Sequence, residues 1–326
     1  MKAMIIKSLG DTDVFELADR PQPKIKKGHL IVKVKASSVN PLDTMLRSTH
    51  TPWSENLPEI LHGDVAGIVT AVGEGVSRFK VGDEVYGCAG GIAGINGALA
   101  EFMLVDEALM AIKPKTLTMK QAAVLPLVSI TAWEALHDKL KIKQGDNVLI
   151  HGATGGVGHI AIQLAKHFGA TVSATTLSNH YALAKTIGAD HIIDASTTPV
   201  FQYVNELTQG QGFDAIFDTI AGEHIQKSFE AAKLNGAVAT TLPVDDVLQV
   251  ALKSLSFHSI LMLIPLVHGI NTATHGHILT IIAELVDKGV IRPLLDDSNF
   301  TLWDVAKAHE RLQSGQAVGK IGLTIS

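Results

Sequence analysis

The segment Ala153-Thr154-Gly155-Gly156-Val157-Gly158 carries the clearest chemical signature in the chain. It follows a strand-like run, Asn147 to His151, and leads into a helical pattern, VGHIAIQLAKHFGA. Strand, glycine loop and helix in that order set unpaired backbone N–H groups and the positive end of a helix dipole against an anion. Gly155 lacks the Cβ that would hold a pyrophosphate off the backbone, and Gly158 lets the helix close onto the strand. Ala153 stands where G-x-G-x-x-G has its first glycine, so the context carries more of the assignment than the motif. Thr154, Gly155, Gly156, Val157 and Gly158 are therefore expected to bind the pyrophosphate of a dinucleotide.

The choice of dinucleotide is read about 20 residues beyond the loop. Residues 174–180 are Ala-Thr-Thr-Leu-Ser-Asn-His, with no acid among them. A carboxylate there would repel the extra ribose phosphate of NADPH, whereas Ser178, Asn179 and His180 can donate to it. NADPH is the expected cofactor, and the alternative is that these three are turn residues only. A single cysteine, Cys88, excludes a multi-cysteine metal site. His275 and His277 are two apart, a spacing that does not share a helix face, and read as loop or helix-start residues. Tyr86 reads as core.

These groups need elements to hold them. The first third is β-rich, with strand-like runs at Leu30 to Ala36, Ala66 to Val72 and Glu84 to Tyr86, and suggests a small barrel or sandwich. After Pro126 strands and helices alternate, as in a doubly wound parallel sheet. Gly169 and Gly188 read as left-handed helix stops. A closing strand, KIGLTIS, has no helix after it and could rejoin the N-terminal domain. A chain of 326 residues with 46% hydrophobic residues suggests two domains. With a net charge of −5 and no basic run, nucleic acid and anionic lipid are not expected partners. The most apolar stretch, Ile260 to Ile270, is interrupted by Pro265 and His268 and is too short to span a bilayer. No secretory signal is visible, so a soluble cytoplasmic protein without membrane partners is expected.

Several segments, in order, resemble one family. They include VKASSVNPLDTMLR, HGDVAGIVTAVGEGVSRFKVGDEVYG, QAAVLPLVSITAWEAL, NVLIHGATGGVGHIAIQLAK, FDAIFDTIAGE and AHERLQSGQAVGKIGLTI. Over nearly its whole length the chain resembles the medium-chain dehydrogenase/reductase superfamily, in its quinone oxidoreductase (zeta-crystallin-like) branch. The resemblance implies an α/β protein with a GroES-like β-rich catalytic domain, residues 1–125 and 265–326, and a Rossmann NADP-binding domain, residues 126–264. It also implies a homodimer.

The positions similar to the catalytic zinc ligands of other branches are Asn40, Gly63 and Pro126 or Leu127, which cannot form a tetrahedral N/S site. His62 and Asp64 flank the second position without thiolate partners, and no metal is expected. A conjugated carbonyl or quinone spreads the charge that zinc would otherwise stabilise, so the implied reaction is metal-free hydride transfer to such a small-molecule substrate. The resemblance places Asn40 beside the nicotinamide and carbonyl as an orienting donor, with capping before Pro41 as its alternative role. Asp43 would orient Asn40, relay a proton or close a turn. Arg47 and His50 are expected at the solvated surface, with a place at the substrate mouth as the alternative for either. Thr131, Thr241, Leu242 and Lys320 are expected at the cofactor, with Thr240 and Gly319 beside them. Some relatives carry a proton-donating tyrosine where this chain has Met45 and Thr51, which leaves solvent as the expected donor. Alternative readings are an enoyl-thioester reductase and a non-catalytic NADPH-binding or interaction protein.

Overall fold

The computed structural model describes residues 1–220 and 222–325. The chain divides into two compact units, Met1–Leu127 with the stretch from Leu263 onward, and Val128–Met262.

The first unit opens with an antiparallel pair, β1 (Lys2–Ile5) and β2 (Glu16–Asp19). β3 (His29–Val39) follows the period-two rule at first, burying Leu30, Val32, Val34 and Ala36 while Lys33 faces solvent. The alternation then stops, and Ser37, Ser38, Val39 and Asn40 are all buried. Two consecutive serines cannot both be buried for apolar reasons, so this strand end serves a polar network. β4 (Asp64–Val72), β5 (Glu84–Cys88), β6 (Phe102–Asp106) and β7 (Met110–Ile112) pair antiparallel, β4 and β6 on β3, β5 on β4 and β7 on β5.

The second unit is a parallel sheet of β8 (Asn147–His151), β9 (Thr171–Thr176), β10 (His191–Asp194), β11 (Phe213–Asp218), β12 (Ala232–Thr240) and β13 (Ser256–Ser259). Their order, β10-β9-β8-β11-β12-β13, is the doubly wound Rossmann arrangement with its switch point between β8 and β11. The middles of both central strands, Val148 to Ile150 and Ala215 to Phe217, are apolar and buried, as suits a sheet with helices on both faces. Gly169 (φ 86°) and Gly188 (φ 119°) take the left-handed conformation expected after their helices.

The chain then returns to the first unit. Helix Ala273–Asp287 buries His275 near its start and leaves His277 exposed, as their spacing requires. Tyr86 is fully buried, and its hydroxyl donates to Leu279 O at 2.6 Å. β14 (Phe300–Thr301) and β15 (Ile321–Thr324) complete the sheet in the order β14-β15-β3-β4-β5-β7, with β6 also on β3. β15 pairs antiparallel with β3, Ile321 opposite Val39, so the closing strand rejoins the N-terminal segment. This pairing brings Lys320 to the end of β3. Among the described helices none is long and apolar enough to cross a membrane.

Candidate active site

In the Rossmann unit, β8 ends at His151 and the helix Gly156–His167 starts five residues later, with Gly155 as its N-cap. His159 N–H donates to Gly155 O at 3.2 Å. The N–H groups of Gly156, Val157 and Gly158 precede it and have no acceptor four residues back inside the helix. A Cβ at Gly155 would meet only Gly152 O, at 3.3 Å, so open space lies in front of that backbone. A Cβ at Gly158 would lie 2.0 Å from the same oxygen, which shows why the helix needs glycine at that crossing. The two glycines therefore do different things, one clearing an approach and the other permitting a packing contact.

Ser178, Asn179 and His180 form a single helical turn just after β9. Ser178 and Asn179 are exposed and His180 is half-buried. His180 Nδ1 lies 3.4 Å from Thr154 Oγ1, which ties the turn to the glycine loop. Thr240 is buried at the end of β12, Thr241 is half-buried and Leu242 is 47% exposed. Thr131 is buried in helix Pro126–Trp133.

In the first unit a second polar cluster gathers residues far apart in the chain. Asn40 is the N-cap of helix Pro41–Ser48, and its backbone N–H donates to Asp43 Oδ2 at 2.7 Å. Its side chain contacts Asp43 as well and reaches further into the cluster. Asn40 Nδ2 donates to Asp64 Oδ2 at 2.8 Å, and Lys320 Nζ donates to Asn40 Oδ1. These two bonds fix which end of the amide is oxygen. Asp64 also accepts from Ser38 Oγ at 2.7 Å and from Leu127 N–H at 2.9 Å. Lys320 Nζ further donates to Val39 O at 2.7 Å and lies 3.7 Å from Asp64. Burial pushes the Lys320 pKa down, and the Asp64 and Asp43 carboxylates oppose that fall. Lys320, expected at the cofactor, thus has its ammonium directed at Asn40, Val39 and Asp64.

Arg47 corrects an expectation. It is fully buried, because its guanidinium finds acceptors inside the unit: Gly10 O, Gln313 Oε1 and His309 Nδ1. Burial pushes its pKa down, and Asp11, Asp13 and Glu310 offset part of that fall. His50 is exposed, as expected. Arg47 can only donate, so His309 Nδ1 is an acceptor and its proton sits on Nε2. That proton points at His62 Nε2, 2.9 Å away. His62 then carries its own proton on Nδ1, facing Ser37 Oγ at 3.4 Å, and Ser37 donates to Asp64 O at 2.8 Å. Burial holds both imidazoles neutral, pushing His62 well below its usual range and His309 down to about 3. His62 also sits at φ 69°, a conformation uncommon outside glycine that persists only where surrounding structure enforces it.

Burial pushes the Asp43 carboxyl up to about 7; the Asn40 N–H bond opposes the rise and the Asp64 carboxylate adds to it. The unfolded chain takes up this proton only near 3.8, so between that value and about 7 the folded state binds more protons. Stability should therefore fall as pH rises through this window, by roughly 4 kcal/mol in all, and level off above it. Asp43→Asn keeps an acceptor for Asn40 N–H and removes the titration. Melting temperatures at about pH 5 and about pH 8 should differ less in the variant than in the wild type; equal differences would refute the raised pKa.

At Gly63 a Cβ would lie 2.9 Å from Cys88 Sγ and 3.0 Å from Gly90 O, so no ligating side chain fits there. Burial pushes the Cys88 thiol well above its usual range. The residues at the zinc-ligand positions therefore do not fit a zinc ion.

Comparisons with known proteins agree with this architecture. Residues 26–115 match the alcohol dehydrogenase GroES-like domain and residues 187–322 match the zinc-binding dehydrogenase family. The chain is 33% identical to 2-methylene-furan-3-one reductase of Solanum lycopersicum, over 98% of this chain and 78% of that protein. It is 31% identical to the chloroplastic NADPH-dependent alkenal/one oxidoreductase of Arabidopsis thaliana, over 98% of this chain and 78% of that one. Among solved structures, an alcohol dehydrogenase superfamily protein from Novosphingobium aromaticivorans is 36% identical with a TM-score of 0.94, each chain being covered completely (100%). The quinone oxidoreductase of Coxiella burnetii is 28% identical with a TM-score of 0.84, covering 100% of this chain and 99% of that one. A mycobacterial protein solved with NADPH is 28% identical with a TM-score of 0.86, over 99% of this chain and 100% of that one. The chain belongs to the medium-chain dehydrogenase/reductase superfamily, in its quinone oxidoreductase branch, a family of NAD(P)-dependent oxidoreductases.

Proposed function

We propose that this chain is an NADPH-dependent enzyme that delivers hydride to a quinone or an α,β-unsaturated carbonyl without a catalytic metal. The observation that carries the reading is the locked Asn40 amide. Its amide nitrogen is held by Asp64, with the Asp43 side chain also in hydrogen-bond contact, and its oxygen is held by Lys320. A zinc-dependent relative would need a ligand at this position; here stands a pre-aimed hydrogen-bond donor. NADPH, when bound, supplies the hydride. Asn40 then donates to the oxygen on which enolate or phenolate charge develops, and Lys320 holds that donor in place at no reorganisation cost. Solvent supplies the completing proton.

The glycine loop suits the pyrophosphate, with Gly155 leaving the approach open and the N–H groups of residues 156–158 at the helix start. Ser178, Asn179 and His180 would hold the extra ribose phosphate, His180 being steadied by Thr154. Thr131, Thr241 and Leu242 would line the rest of the cofactor site. Exposed Leu234, Leu248 and Leu252 on the Rossmann unit favour association with a second copy, and light scattering tests that homodimer. A soluble cytoplasmic setting is part of the same reading.

The deciding experiment follows NADPH and NADH oxidation with benzoquinones, enones and enoyl thioesters. Turnover with quinones or enones and a preference for NADPH are expected. NADPH binding without oxidation across the panel would leave a non-catalytic binding protein, and turnover confined to thioesters would make the chain an enoyl reductase. In His180→Glu a carboxylate would face the phosphate, and the NADPH preference should fall at least roughly tenfold. An unchanged preference would remove His180 from the phosphate site.

A further inference from the structure

The Rossmann unit holds a cluster that the hydride-transfer reading does not use. His151 ends β8 and Asp218 ends β11, and the two are register partners. His224 stands just before helix Ile225–Ala231 and reaches the same point. Its Nδ1 is 3.0 Å from Asp218 Oδ2, and its ring meets that of His151 edge-on with centroids 4.4 Å apart. One ligand-capable atom from each of the three residues lies within 4.8 Å of the others.

The orientation of each group is already set. His151 is 1% exposed; its Nδ1 faces Thr175 Oγ1 at 3.1 Å, while its buried Nε2 has no hydrogen-bond partner. Asp218 is fully buried, with Oδ1 accepting from Ile220 N–H at 2.9 Å and Oδ2 from Ser228 Oγ at 2.8 Å. A simple His224–Asp218 hydrogen bond accounts for two of these residues. It gives no reason for a third, buried imidazole with an unpartnered nitrogen in the same cluster.

We propose that His151, Asp218 and His224 form a binding site for a divalent transition metal of the zinc class, anchored on His151 Nε2. Two imidazoles and one carboxylate favour zinc, cobalt, nickel or copper over magnesium and calcium, which prefer all-oxygen ligands. Thr175 behind His151, and Ser228 and Ile220 behind Asp218, hold the ligands in the way that outer partners of metal sites do. The His224 side chain is 15% exposed, which gives the ion an entry and a solvent-filled fourth position. One carboxylate and two neutral rings leave the complex with a single positive charge. The ion would tie the ends of β8 and β11 to the start of helix Ile225–Ala231. Asn40 and Gly63, at the zinc-ligand positions of other branches, belong to the other unit, so this site is independent of theirs.

The test titrates metal-stripped, full-length protein with Co²⁺, read by its d–d absorption, and with Zn²⁺ in competition with a chromogenic chelator. One equivalent per chain is expected, with a melting temperature that rises with zinc concentration. His224→Gln, at a partly exposed turn, should fold normally and bind at least roughly tenfold more weakly. His151→Gln, checked for folding by circular dichroism, should do the same. No saturable binding would overturn the proposal and leave a buried water as the partner of Nε2. An equivalent that His224→Gln binds as tightly as the wild type would also overturn it, placing the ion on other histidines.

Discussion

Gly158→Ala is expected to destabilise the Rossmann unit by about 3 kcal/mol and to abolish dinucleotide binding, whereas Gly155→Ala should keep the fold and lose affinity alone. The added methyl at position 158 would lie 2.0 Å from Gly152 O, 2.8 Å from Gly152 C and 3.4 Å from Ala153 N. All three are backbone atoms of the loop that ends β8, so no side chain can turn away to make room. The helix start must lift, and it would carry buried His159, Ile160 and Ala161 with it. At a few degrees per kcal/mol this is a fall of about 10 °C in melting temperature. At position 155 the methyl would meet one oxygen at 3.3 Å and otherwise face open space. Its effect should appear in NADPH binding, roughly tenfold or more, because it would occupy the volume a phosphate needs. Differential scanning fluorimetry and a fluorescence titration with NADPH separate the two outcomes. An unaltered melting temperature in Gly158→Ala would show that the helix start can yield. Unaltered NADPH affinity in Gly155→Ala would show that the pyrophosphate does not lie against this backbone.

The difference between these two glycines is legible in the sequence because it depends on local rules. Strand, loop and helix follow one another within a few residues, and backbone sterics do the rest. The Rossmann alternation and the stops at Gly169 and Gly188 are legible for the same reason, each from patterning within a short window, whereas the return of the last strand to β3 is a long-range pairing that patterning leaves open. The network around Asn40 is not legible. Asp64 lies 24 residues from Asn40 and Lys320 lies 280 residues away. No periodicity encodes such a meeting; it follows from β15 pairing beside the end of β3. One trace is visible, namely the loss of alternation at Ser37-Ser38, which marks where a strand face stops being core. Arg47 defeats a sequence reading because an isolated arginine in the last turn of a short helix is ordinarily solvated. Its burial depends on Gly10, His309 and Gln313, again far off in sequence. The His62–His309 contact, 247 residues apart, is invisible for the same reason. His151, Asp218 and His224 illustrate a different limit. The motif residues around them draw attention to the backbone, while the side chains at the strand ends become a cluster only once β8 and β11 are adjacent.

Lys320→Met should cost about 3 kcal/mol of stability and lower kcat by roughly a hundredfold while leaving the Kd for NADPH nearly unchanged. The stability loss follows from what the ammonium leaves behind. Val39 O, at 2.7 Å, and Asn40 Oδ1 would both lose a buried donor, and fully buried Asp64 would lose a cation 3.7 Å away. Removing one member of a buried charge pair is costly because the other remains desolvated and uncompensated. The kinetic loss follows from the amide. Asp64 still holds Asn40 Nδ2, but the Lys320 bond to Oδ1 is lost, and the donor proposed for the developing oxyanion is freer to rotate. A donor that must reorient during the reaction no longer stabilises the transition state as a fixed one does. The same variant decides between two roles for Lys320. If it faced the cofactor, as family resemblance implies, Kd for NADPH would rise and kcat would fall little. If it orients Asn40, Kd would hold and kcat would fall. Asn40→Ala measured alongside completes the cycle: on the orienting reading the double variant is no slower than Asn40→Ala alone, because Lys320 acts only through the amide.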